Sequence, residues 1–165
     1  MPLTVVSDPR AHHSLADRKA QFALAQKLAN LLSEMSVVVD RINSVRLALN
    51  QRESTLPPGD PLYTRLHSSS EAVDAIRRKI VATKEGGMIT GEERLRENLA
   101  DLYGDVNGYD GRPTQTQIDR TEAIAKELAD IERDYDAWLA REMPGINSAL
   151  TARKLETIPL PGRME

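Results

Sequence analysis

The stretch from Leu24 to Leu49 carries apolar side chains at Leu24, Leu28, Leu31, Met35, Val38, Ile42, Val45 and Leu49. The steps between them alternate between three and four residues, so all eight line one side of a helix. With its start at Leu15, that helix is roughly 50 Å long. A rod of this length with one apolar side is not stable alone in water, and the rest of the chain must cover it. The spacing therefore predicts an all-α fold, an antiparallel up-down helical bundle of three long helices and one shorter helix.

The other helices announce themselves by their ends. Ser14 with Asp17 forms a capping box for the first helix, which runs to Asn50 or Gln51 and is stopped by Leu56-Pro57-Pro58-Gly59. Asp60 followed by Pro61 is a cap and first-turn pair for the second. Its stripe runs through Leu62, Leu66, Ser69, Val73, Ile76, Ile80 and Thr83, and Gly86-Gly87 closes it. Thr90 with Glu93 predicts a capping box for a short third helix that buries Leu95, Leu99, Leu102 and Val106. A turn-rich break from Tyr103-Gly104 to Asp110-Gly111 follows. Thr114 with Gln117 then caps a fourth helix, lined by Thr121, Ile124, Leu128, Ile131, Tyr135 and Trp138. Pro144-Gly145 kinks or ends it, with one more helical stretch at Ile146 and Leu150.

Three segments result. Residues 1–10 read as an extended segment, with Leu3 to Val6 either the end of a strand whose partners belong to an upstream domain or a disordered terminus. Residues 11–155 form the bundle domain, and 156–165 an extended tail. The chain of 165 residues suits one domain.

A net charge of -3 argues against the basic face that phosphate backbones require, so no nucleic-acid partner is expected. The absence of cysteine removes disulfides, thiolate metal sites and cysteine nucleophiles. No uninterrupted apolar run reaches the ~18 residues of a membrane span. The first residues are too short and lack the basic start of a signal peptide.

Side chains that could carry chemistry lack the required company. His12 and His13 sit in the entry loop with no acid or imidazole at helical spacing beside them, and His67 follows Leu66 on the second helix as a boundary residue rather than a ligand. Asp105 to Gly111 starts like a calcium loop, but has Tyr109 in the fifth place, Asp110 in the sixth and Thr116 in the twelfth. The carboxylates Glu122, Glu127, Asp130, Glu132, Asp134 and Asp136 interleave with the stripe of the fourth helix and read as a solvated face. Arg77-Arg78-Lys79 reads likewise. Tyr135 and Trp138 are the bulky plug of the core. Paired Glu-x-x-His motifs, a Gly-x-Ser-x-Gly elbow and a phosphate loop after a strand do not occur. No catalytic, metal or cofactor-binding residue is therefore assigned.

Three blocks of the chain resemble a known family. Leu3-Thr4-Val5-Val6-Ser7-Asp8-Pro9-Arg10, followed by Asp17 and Ala20-Gln21-Phe22, is similar to a strand–DPR–D–x–x–AQF junction. Asn98 to Val106 with Gly111-Arg112-Pro113-Thr114-Gln115 resembles a KLAxLxGxVxxxDxRPTxQ segment. Glu142-Met143-Pro144 with Ile146-Asn147 resembles an LxxELPxLN ending. All three are features of the C-terminal helical region of bacterial exported proteins with sortilin-like (VPS10-type) BNR-repeat propellers, often labelled glycosyl hydrolases. The resemblance implies a non-catalytic structural or interaction module of a larger exported protein, with the upstream domain or another protein as its partner. The alternatives are an accessory lid or wall of a glycosyl-hydrolase-like enzyme, and a free-standing scaffold that self-associates through the Leu24–Leu49 stripe.

Overall fold

A computed structural model describes residues 2–3, 6, 8–10, 12–84 and 91–162. The fold is all-α: α1 (Leu15–Glu53), α2 (Pro61–Ile80), α3 (Leu95–Gly108) and α4 (Gln115–Ala152), three long helices and one shorter. Leu28, Ile42 and Leu49 are fully buried, and the Leu24–Leu49 stripe is covered by the chain's own helices. By length and mean hydropathy α1 would also pass as a membrane span, a property that core helices share.

Cross-helix pairs give the directions. Arg46 meets Asp74, Asn50 meets Ser70 and Glu53 meets His67, so α1 and α2 are antiparallel. Gln21 Nε2 donates to the Val106 carbonyl (2.9 Å), and Arg18 reaches Asp110 (3.1 Å), so α3 is antiparallel to the first half of α1. Lys27 pairs with Glu122 and Arg41 with Glu132, which makes α4 parallel to α1. The bundle is thus up-down in three columns. α1 rises, α2 and α3 descend one after the other, and α4 rises again. α2 covers the C-terminal half of α1 and α3 the N-terminal half.

The ends form for local reasons. Asp17 N–H donates to Ser14 Oγ (3.1 Å) while the Asp17 carboxylate accepts the Ser14 N–H (3.0 Å). Thr114 and Gln117 make the same reciprocal pair, at 3.2 and 2.9 Å. Asp60 Oδ1 accepts the Leu62 N–H (2.7 Å), and its other oxygen holds Arg153 from the end of α4. Gly59 turns the chain into α2 at φ +94, a conformation glycine takes without a Cβ penalty.

Four expectations need correction. α1 runs to Glu53, a little beyond Gln51. α2 stops at Ile80 rather than at Gly86-Gly87, which lie outside the described residues. Val81 is extended and buried, and Glu92 captures the chain by accepting the Thr83 N–H (3.0 Å). That hydrogen bond first, and Arg94 second, hold the Glu92 carboxyl down at about 2. α3 starts after Arg94, whose N–H donates to Glu97 (3.0 Å), four residues beyond the box expected at Thr90 and Glu93. Thr90 also lies outside the described residues, as do Thr4 and Val5 of the expected strand end. α3 then passes through Gly104 to Gly108, because buried Leu102 and Val106 outweigh the ~1 kcal/mol penalty of a helical glycine.

Pro144 sits inside α4 without ending it. Its ring is exposed, and so is Ala140, whose carbonyl loses its usual donor, so water can serve that carbonyl. Met143 and Ile146, both fully buried, pin the helix on either side. The tail is strapped down. Asn147 exchanges two hydrogen bonds with the Ile158 backbone (2.8 and 2.9 Å), and Ile158 is buried.

Candidate functional site

Eight large hydrophobic side chains are exposed among the described residues; four of them, Leu15, Phe22, Tyr109 and Ile118, lie at the end of the bundle where the chain enters it, and Leu3 and Val6 precede them in sequence. Leu15 and Phe22, 66% and 67% exposed, are two turns apart on the face of α1 that points away from the core. Tyr109, just past α3, is half exposed, and Ile118 opens α4 beside it; Leu3 and Val6 precede α1. Leu47 and Leu160 are the two elsewhere.

This end is held rigidly. The His13 ring meets the Tyr109 ring edge-on at 5.7 Å between centroids. Gly111 is wedged against both: a Cβ there would stand 2.5 Å from Tyr109 and 2.8 Å from His13. Arg18 and Gln21 tie α1 to the end of α3. Asp17 and Arg10–Asp8 complete a polar collar around the entry loop. An apolar face on a fixed frame can bind another apolar surface.

The polar clusters are engaged in the fold. Arg41 is buried, and its guanidinium donates to Glu132 and to Asp136, each at 2.7 Å. It lies over the Tyr135 ring at 5.5 Å, and the Tyr135 hydroxyl donates to the Arg41 carbonyl (2.9 Å). Two of the carboxylates expected on a solvated face thus converge on one arginine. Arg41 Nε is buried without a hydrogen-bond partner among the described residues.

Asp74 is buried and gathers Arg77 (2.7 Å), Arg78 (2.6 Å) and Arg46 (3.2 Å). Burial alone would raise its carboxyl. The Arg77 hydrogen bond and the charges of Arg46, Arg77 and Arg78 more than offset it, and the net position is below the usual carboxylate range. The stabilisation this gives is complete above the unfolded value near ~4 and is lost as the pH falls through the lower folded value. Urea midpoints between pH 7 and about pH 2.5 measure it. Asp74→Asn is expected to cost about 1–2 kcal/mol at pH 7, and the gap between the two proteins to close as the solution is acidified. A gap that stays constant with pH would show that the carboxylate charge is not the stabilising element.

His67 Nδ1 lies 2.9 Å from Glu53 Oε1, and its ring stacks on Tyr63. The Ser70 hydroxyl in the same cleft donates to Asn50 (2.5 Å), not to His67, so the nucleophile–base link of a hydrolase is not made. Tyr135 and Trp138 are buried in the core. Asp105 and Asn107 are helical, and among the described residues no group of three or more acids or imidazoles is placed to hold a metal. Arg77 and Arg78 serve Asp74, and Lys79 pairs with Asp134. Sequence reasoning overlooked the exposure of Phe22 and the burial of Arg41. Glu132 and Asp136, one turn apart beside Tyr135, were the available signal for the latter.

Comparison with protein-family models, curated proteins and solved structures gives no match for this chain.

Proposed function

We propose that the chain is a non-catalytic helical docking module, the C-terminal part of a larger exported protein of the sortilin-like propeller type, which seats its N-terminal end on the domain ahead of it. The observation that carries this reading is the gathering of Leu15, Phe22, Tyr109 and Ile118 at the end where the chain enters the bundle, with Leu3 and Val6 just before them. Scattered exposed apolar residues are ordinary, but a collection at the entry point has a reason when a neighbour covers it. The junction residues Asp8-Pro9-Arg10 agree, since the Arg10 guanidinium and N–H both bond Asp8 and shape the link between segments.

The test starts from the reading frame upstream of Met1 and the longer chain it encodes. Strands and propeller boxes in frame are expected. In that longer chain, Phe22→Asp is expected to speed protease cleavage between residues 8 and 13 by about tenfold, the equivalent of ~1.4 kcal/mol of docking energy. The same substitution in the bundle alone should leave Tm within about 2 °C. A frame that closes directly upstream, or cleavage that ignores Phe22→Asp, overturns the reading.

A further inference from the structure

α1 and α4 run parallel, and α2 and α3 cover them from one side. On the other side the seam between them lies open as two clefts in line. The first is lined by Ala20, Ala23, Leu24, Lys27, Pro113 and Ile118, with Arg112 at its edge. The second, ≈ 460 Å³, has a floor of Val37, Val38, Ala125, Leu128 and Ala129, rims of Glu34 and Glu132, and Arg41 at its far end. The Lys27–Glu122 pair stands between them. From Ala20 to Arg41 the seam spans about 32 Å of helix.

Two properties make this seam complementary to itself. Its walls are small at Ala20, Ala23, Ser33, Ala125 and Ala129, so another helix pair can approach closely. Its charge is divided by halves. On one side Lys27, which also holds Glu122, and Arg112 leave a net positive charge, while Glu34, Glu132 and Asp136 outnumber Arg41 on the other. Glu34 makes no ion pair or hydrogen bond among the described residues. A two-fold axis across the seam between Asn30 and Leu31 sets Lys27 of one copy level with Glu34 of the other, and turns the Arg112 end of each toward the acidic end of its mate.

We infer that this seam is a homodimer interface, in which α1 and α4 of two copies pack antiparallel as a four-helix layer. Such a contact is isologous and closes on itself, as the commonest protein dimers do. Its footprint, about 30 Å by two helix widths, is roughly 600 Å² per copy, at the lower edge of specific interfaces. The seam shares Ile118 with the docking end but takes in none of Leu15, Phe22 and Tyr109, so substitutions at Lys27, Glu34 and Ala125 test the dimer apart from the docking role.

Sedimentation equilibrium of the full chain tests it. The chain is expected to reach a dimer mass in the micromolar range. Lys27→Glu and Glu34→Lys alone should each raise the dissociation constant at least about tenfold, and the two together should restore it. Ala125→Arg, which puts a bulky charge over the floor, should give monomer with an unchanged circular dichroism melt. A single-chain mass up to about 100 µM overturns the proposal, and so does a dimer that ignores the charge changes and Ala125→Arg.

Discussion

Ile42→Asp is expected to abolish the cooperative thermal transition of this protein. Ile42 is fully buried in the second half of α1, where the stripe faces the descending column. Removing an isoleucine side chain from such a site costs about 2–5 kcal/mol through lost transfer and the cavity left behind. Burying a carboxylate there adds several more, either as an unpaired charge or as the work of keeping it protonated. The sum rivals the ~5–15 kcal/mol that holds an ordinary domain together. Asn43→Asp, one residue on and exposed, adds the same charge without burial and should change stability by no more than about 0.5 kcal/mol. Circular dichroism at 222 nm against temperature checks both. A sharp melt at the wild-type temperature for Ile42→Asp would place the residue outside the core and remove the basis of the fold assignment.

What could be foreseen from the sequence follows the physics of each feature. The α1 stripe was legible because its spacing is locked to the helical repeat, and each of Leu28, Leu31, Met35, Val38, Ile42, Val45 and Leu49 is buried. The Ser14–Asp17, Asp60–Pro61 and Thr114–Gln117 starts were legible because a cap is a local bond between neighbours. The ends of α2 and α3 were not. There the deciding contacts, Thr83 to Glu92 and Arg94 to Glu97, compete with equally good local signals at Gly86-Gly87 and Thr90. Nor was the sharing of one column by α2 and α3, because a connection of that length permits either a reversal or a continuation. Side-chain sites suffer the same limit. Arg41 lies more than ninety residues from Glu132 and Asp136 in sequence, and only the parallel setting of α1 and α4 joins them.

That junction supplies the second large effect. Tyr135 is fully buried, packs its ring beneath Arg41 and donates to the Arg41 carbonyl. Tyr135→Phe removes only the hydroxyl. The Arg41 carbonyl keeps a second side-chain donor in Ser44 Oγ (2.8 Å), so no acceptor is orphaned and the cost should be about 1 kcal/mol, or roughly 2–4 °C in Tm. Tyr135→Ala also removes the ring and opens a cavity under the guanidinium, for about 3–5 kcal/mol. The two variants separate packing from hydrogen bonding at one atom. Burial pushes the Tyr135 hydroxyl well above its ordinary value. Its contribution is therefore complete below the unfolded value near ~10 and declines as the pH rises from there toward the higher folded value. Chemical denaturation at pH 8 and at about pH 11 should find Tyr135→Phe gaining on the wild-type protein as the solution becomes alkaline. Equal losses in both proteins would mean that this hydroxyl ionises as freely in the fold as in the open chain, and that the Arg41 junction is wet.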